Sequence, residues 1–220
     1  MNQHRLDVLN NITKQGMLPL FFHADAEVSL KVTRALYKAG IRLLEYTNRG
    51  PSALENFKQL VKASQQEMPE LFLGIGTIKT VTEAASFIDA GADFIIAPVV
   101  DSEVAQLAAK HNLLWCPGCM TPTEISLAQK NGAKLIKLFP ANILGPGFLN
   151  AVKEVFPGQS FMPTGGVELN QDNISTWFKA GVCAVGLGSK LITRDILEKQ
   201  LFDQLYIDTQ KALDLVRAAR

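Results

Sequence analysis

Ala39-Gly40-Ile41-Arg42-Leu43-Leu44-Glu45-Tyr46-Thr47 is the stretch on which the fold turns. A small residue and a glycine close an amphipathic segment, and an apolar run follows at once. Glycine accepts the left-handed backbone that ends a helix, and an apolar run of this length is a buried strand. The phrase returns as Ala90-Gly91 before Phe94-Ile95-Ile96, as Asn131-Gly132 before Leu135-Ile136, and as Ala180-Gly181 before Val182-Cys183-Ala184-Val185. Amphipathic stretches with capping residues lie between: Asp25 precedes Ala26 to Ala39, Asp101 precedes Ser102 to Lys110, and Asn170 precedes Gln171 to Ala180.

Filling the gaps places strands near 17–22, 42–47, 71–76, 93–97, 113–117, 134–139, 160–164 and 183–187, each followed by a helical pattern. Alternating strand and helix implies a parallel sheet, and eight units in 220 residues imply a compact (β/α)8 TIM barrel of the α/β class. A leading N-terminal helix over about 3–14 and a closing helix over about 203–218 flank it. An open doubly wound sheet is the alternative, although six strands normally suffice there. No linker-like stretch divides the chain, so residues 1–220 are read as one domain.

Charge is nearly balanced, with 22 Lys and Arg against 21 Asp and Glu, and no basic block interleaves with aromatics. Nucleic acid and anionic membrane are therefore not expected partners. No apolar run reaches the length of a membrane span, and Met1-Asn2-Gln3-His4-Arg5 is too polar for a signal peptide, so a cytoplasmic protein is expected. Three cysteines without secretory context argue against disulfides. Cys116-Pro117-Gly118-Cys119 has C-x-x-C spacing, yet it ends a strand instead of opening a helix as a redox dithiol does. His4, His23 and His111 are scattered without zinc spacing, so neither metal nor cofactor is expected.

Within Ala133-Lys134-Leu135-Ile136-Lys137-Leu138-Phe139-Pro140, Lys137 is a charge in a strand that reads as buried. Moving an unpaired ammonium out of water costs several kcal/mol or more, and buried amines tend to shed their proton. A neutral amine attacks carbonyl carbon, the first step of Schiff-base chemistry. A strand end from which the amine reaches water is the plainer alternative. Barrel enzymes carry their chemistry at the C-terminal ends of strands. On the second strand Leu43, Glu45 and Thr47 share a face opposite Leu44 and Tyr46; on the sixth, Leu135, Lys137 and Phe139 oppose Ile136 and Leu138. The purely apolar pairs suit the outer helices, which leaves Glu45 and Lys137 projecting inward near one end. A structural ion pair is the competing account, but such pairs stabilise weakly against apolar packing. Gly165-Gly166-Val167 and Gly186-Leu187-Gly188-Ser189 follow the last two strands, where barrels bind phosphate through backbone N–H groups. Gly74-Ile75-Gly76-Thr77 offers N–H groups and a hydroxyl to a carboxylate, and it lacks the lysine-serine/threonine ending of a P-loop.

Taken in order, these segments resemble the class I 2-keto-3-deoxy-6-phosphogluconate (KDPG) aldolases and their 4-hydroxy-2-oxoglutarate-cleaving relatives. The resemblance runs nearly end to end through Leu43 to Arg49, Gly74 to Thr77, Ala97-Pro98, Pro117-Gly118, Lys137 to Ala141, Pro163 to Gly166 and Gly186 to Ser189. It implies that Lys137 forms the Schiff base with the C2 ketone and that Glu45 shuttles protons. It implies that Arg49, Thr77 and the Gly76 backbone hold the pyruvate carboxylate, that Phe139 packs on the pyruvyl portion, and that Thr164 meets the middle hydroxyls, with Pro98 also against the substrate. Gly165, Gly166, Gly188 and Ser189 take the phosphate. The partner is a small keto sugar acid, the assembly a homotrimer, and no metal is needed. Asn48 before Arg49, Gly50-Pro51 after it, Tyr46, Cys119-Met120 and Phe21-Phe22-His23 depart from the family's pattern and bear on the aldehyde half of the substrate. An epimeric or unphosphorylated sugar acid, a phosphate-binding barrel enzyme without imine chemistry, and a non-catalytic sensor are the other readings.

Overall fold

The computed structural model describes residues 2–220. Its elements run α1 (Gln3–Gln15), β1 (Met17–Phe21), α2 (Ala26–Lys38), β2 (Leu43–Thr47), α3 (Ala53–Glu67), β3 (Phe72–Gly76), α4 (Val81–Asp89), β4 (Phe94–Ile96), α5 (Ser102–Lys110), β5 (Leu114–Cys116), β6 (Gly118–Cys119), α6 (Pro122–Lys130), β7 (Leu135–Leu138), α7 (Ala141–Val152), β8 (Ser160–Pro163), α8 (Gln171–Ala180), β9 (Val185–Leu187), α9 (Arg194–Glu198) and α10 (Phe202–Ala218). The anticipated strands, leading helix and closing helix all appear within a residue or two of their expected positions.

Local chemistry explains these boundaries. The Asp25, Asp101 and Asn170 side chains accept from the N–H groups of Val28, Val104 and Asn173 at 3.0, 2.9 and 2.9 Å. Thr80 with Glu83 and Thr121 with Glu124 form reciprocal capping boxes. The recurring glycines, Gly40, Gly91, Gly132 and Gly181, have φ of 109°, 97°, 82° and 108°, the left-handed geometry that turns each helix back toward the sheet. Within α7, Gly145 is non-helical and Pro146 follows it, so the helix is broken there.

All pairings are parallel. Six strands lie in the order β5-β4-β3-β2-β1-β9, and three more in the order β6-β7-β8. Nine strands stand where eight were expected because Pro117, which has no N–H to give a ladder, splits the fifth into β5 and β6. The sheet is curled, so that Leu18, Leu43, Phe94, Leu114, Leu135, Met162 and Ala184 from both sections meet in one inner core. Val8 and Ile12 of α1 join that core. The opposite faces, including Leu44, Tyr46, Ile136 and Leu138, pack against the surrounding helices in a larger outer core. Fully burying each such side chain is worth about 1.5–3 kcal/mol. No helix among the described residues is long and apolar enough to cross a membrane. Cys116 belongs to the inner core and Cys119 to the outer one, so the C-x-x-C thiols face opposite sides of the sheet.

Candidate active site

The C-terminal ends of the strands surround a cavity of about 540 Å³. Arg49, Thr77, Pro98, Lys137, Phe139, Thr164, Gly165, Gly166, Gly188 and Ser189 all line it, gathered from widely separated parts of the chain. Glu45 and Gly76, also expected here, lie just behind the wall. Lys137 is 5% exposed, and its backbone N–H donates to Pro117 at 2.9 Å. Its neighbours Ile136 and Leu138 face the outer core, so its side chain stands on the inner face, where alternation placed it, with Nζ 4.9 Å from the centre of the Phe139 ring.

Glu45 is 1% exposed, and neither carboxylate oxygen has a hydrogen-bond partner. Burial raises its pKa above the ordinary carboxylate range, with Lys137 and Arg49 opposing that rise. A buried, unpartnered carboxylate is costly to keep. Its place depends on Gly76, because a Cβ there would overlap the Glu45 carboxylate. Gly76→Ala is expected to cost about 1–3 kcal/mol through overpacking, a loss that thermal melts would register.

Thr77 follows directly with φ of 63°, rare for a β-branched residue. Strain of this kind, about 1–3 kcal/mol, clusters at functional sites. Across the cavity, Thr164 Oγ1 is buried without a partner and stands over Gly186, whose missing side chain makes its room. Gly165 and Gly166 have φ of 93° and 78° and turn the chain from β8 toward the cavity. Gly188 opens the turn beyond β9 by accepting from the Leu191 and Ile192 N–H groups at 3.0 and 2.9 Å.

Phe22 and His23, singled out in the sequence only as departures from the family's pattern, and three residues that were not anticipated complete the wall. Phe22 and His23 come from the β1–α2 loop, and Lys190, Arg194 and Glu198 from the segment after β9. Lys190 pairs with Glu168 at 2.9 Å and Arg194 with Glu198 at 2.6 Å. Lys190 was within reach of reading, one position beyond the glycine motif. With Lys190 and Arg194 thus paired, Arg49 and Lys137 are the cavity-lining cations without a salt-bridge partner among the described residues. That pair favours an anionic ligand. The other buried nucleophile candidate is Cys116, on the inner face. Burial holds its thiol well above its ordinary pKa, the direction opposite to thiolate activation.

Residues 8–207 match the aldolase family described as KDPG and KHG aldolase. The 2-dehydro-3-deoxy-phosphogluconate aldolase of Treponema pallidum is 29% identical over 96% of this chain and 98% of its own. A probable 2-dehydro-3-deoxy-6-phosphogalactonate aldolase of Rhizobium meliloti is 31% identical over 73% of this chain and 74% of its own. The KDPG aldolase of Legionella pneumophila, solved with pyruvate captured at low pH as a covalent carbinolamine intermediate, has a TM-score of 0.83 at 25% identity, covering 91% of this chain and 95% of its own. With a buried lysine and a buried carboxylate at one end of a curled parallel sheet, and with a family match spanning most of its length, this chain belongs to the KDPG and KHG aldolase family.

Proposed function

We propose that the chain is a class I aldolase that cleaves a 2-keto-3-deoxy-6-phospho sugar acid of the KDPG type to pyruvate and glyceraldehyde 3-phosphate, and/or 4-hydroxy-2-oxoglutarate to pyruvate and glyoxylate. The observation that carries this reading is the pair of buried groups: Lys137 on the cavity wall and, behind it, Glu45 with an unpartnered carboxylate.

Lys137 Nζ adds to the C2 carbonyl, and loss of water leaves a protonated imine. As the C4 hydroxyl proton passes to Glu45, the C3–C4 bond breaks and its electron pair enters the imine. An aldehyde departs and an enamine remains. Glu45 returns the proton to C3, and hydrolysis releases pyruvate and the free amine. Arg49, Thr77 and the Gly76 backbone hold the pyruvate carboxylate, and Phe139 and Pro98 flank the pyruvyl portion. Thr164 meets the middle hydroxyls. Gly165, Gly166, Gly188 and Ser189 receive the phosphate, a reading supported by the neighbouring cations Lys190 and Arg194.

The two sheet sections are read as one closed (β/α)8 barrel in a single domain. A parallel bridge between Thr164 and Gly186 supports closure on one side, and the Lys137 N–H bond to Pro117 supports continuity of the split fifth strand. A homotrimer is proposed as the assembly, supported by apolar side chains left open on one protomer, with Ile143 65% and Val155 68% exposed. Three free cysteines agree with a cytoplasmic location.

Incubation with pyruvate and borohydride, followed by intact and peptide mass spectrometry, is expected to find a reduced pyruvyl adduct on Lys137. A folded protein without any adduct would reject the imine and leave a phosphate-binding barrel of another kind.

A further inference from the structure

His23 has a place in the cavity wall that the reaction described above does not use. Its backbone carbonyl is held by two donors: Tyr46 Oη at 2.8 Å and Asn56 Nδ2 at 3.1 Å. Tyr46 and Asn56 are both buried, so this loop position is anchored to the outer core. The ring is oriented as well, because the Asp25 backbone N–H donates to Nδ1 at 3.1 Å.

That bond assigns the tautomer of the neutral ring. Nδ1 also lies 3.4 Å from the Asp25 carbonyl, which would require a proton on Nδ1. The carbonyl already accepts from Ser29 Oγ at 2.9 Å and Ser29 N at 3.1 Å, whereas the Asp25 N–H has only Nδ1 to satisfy it. Nδ1 is therefore the acceptor, and the ring proton sits on Nε2. Nε2 has no hydrogen-bond partner among the described residues, and His23 lines the cavity. By sheet order, β1 lies between β2, which leads to Arg49, and β9, which leads to Gly188 and Ser189. His23 thus stands on the wall between the carboxylate and phosphate ends of the cavity.

We infer that His23 is a specificity-determining residue, whose Nε2–H donates to a hydroxyl oxygen on the aldehyde half of the sugar acid. The inference rests on the aldolase reading, but it concerns only the part of the substrate that leaves as aldehyde. Pyruvate alone lacks that part. Lys137 and Glu45 can nevertheless exchange its C3 protons with solvent through the enamine, and this half-reaction serves as the internal reference.

His23→Asn keeps a side-chain acceptor at the Nδ1 position for the Asp25 N–H but does not reach as far as Nε2. His23→Leu loses both, and His23→Gln restores a donor at about the reach of Nε2. The quantity measured is the kcat/KM for KDPG cleavage divided by that for pyruvate C3 proton exchange. His23→Asn and His23→Leu are expected to lower this ratio about tenfold, the size of one lost hydrogen bond, mainly through KM, with substantial recovery in His23→Gln. An unchanged ratio in His23→Asn would overturn the inference. So would a loss confined to His23→Leu that struck both reactions equally, which marks a loop-holding role only. Wild-type protein that exchanges no pyruvate protons would instead overturn the aldolase reading itself, an outcome no His23 variant can imitate.

Discussion

Lys137→Met is expected to abolish aldol cleavage, with kcat/KM falling by about 10⁴-fold or more, while the protein stays folded. Methionine keeps an unbranched apolar stem of the same reach to Cε, with sulfur in place of one methylene, in a site that is 5% exposed, and it lacks the nucleophilic nitrogen. The inner core around the strand, from Leu135 to Met162, loses no packing atoms beyond that nitrogen. The melting temperature should therefore stay close to that of the wild type. Lys137→Arg should be equally inactive, because a guanidinium keeps the charge but does not form an imine. Steady-state cleavage assays paired with borohydride trapping check both variants. Cleavage surviving in either one would exclude Lys137 as the imine-forming residue, whatever the family relationship. A second consequence is electrostatic. Lys137 and Arg49 are the two charges that favour ionised Glu45, so losing the lysine leaves burial less opposed and moves the Glu45 carboxyl further up.

The alternation of strand and helix was legible because its signals are local. Each Ala-Gly or Asn-Gly pair ends a helix through its own backbone preference, and each cap is satisfied within three residues. The inward placement of Glu45 and Lys137 followed from period-two alternation once Leu44 with Tyr46 and Ile136 with Leu138 were assigned to the helices. The break of the fifth strand was also readable, since Pro117 stands in the sequence and a proline cannot donate to a ladder. What could not be read is non-local. Nothing in the residue type of Thr77 announces its left-handed conformation. His23 was marked only as a departure from the family's pattern; it is anchored at the cavity wall because Tyr46 and Asn56, 23 and 33 residues away, converge on its carbonyl. The short helix α9, which brings Arg194 and Glu198 to the rim, spans five residues, too few for a helical period to show.

Glu45→Gln should separate the two buried groups and, in doing so, trade activity for stability. Glutamine fills nearly the same space beside Gly76 but cannot take up and return a proton. Cleavage should fall by about 10²- to 10⁴-fold, the usual worth of a positioned general acid-base. Pyruvate should still form the trappable imine on Lys137, while exchange of its C3 protons with solvent slows in parallel with cleavage. The effect on stability has the opposite sign. Burial raises the Glu45 pKa in the folded state, so the fold favours the protonated acid. A carboxyl of this kind contributes stability that is fully present below its unfolded pKa, about 4.3. That contribution is lost as pH rises through the higher folded value. The variant, neutral at every pH, should therefore melt above the wild type at neutral pH, and the gap should close on acidification. Melting curves from pH 4 to pH 8 decide the matter. If the wild type were the more stable protein at neutral pH and lost its advantage in acid, Lys137 and Arg49 would be stabilising an ionised Glu45 by more than burial penalises it. Glu45 would then rest as a carboxylate in the free enzyme, the form that accepts the C4 hydroxyl proton and, once protonated, returns it to C3.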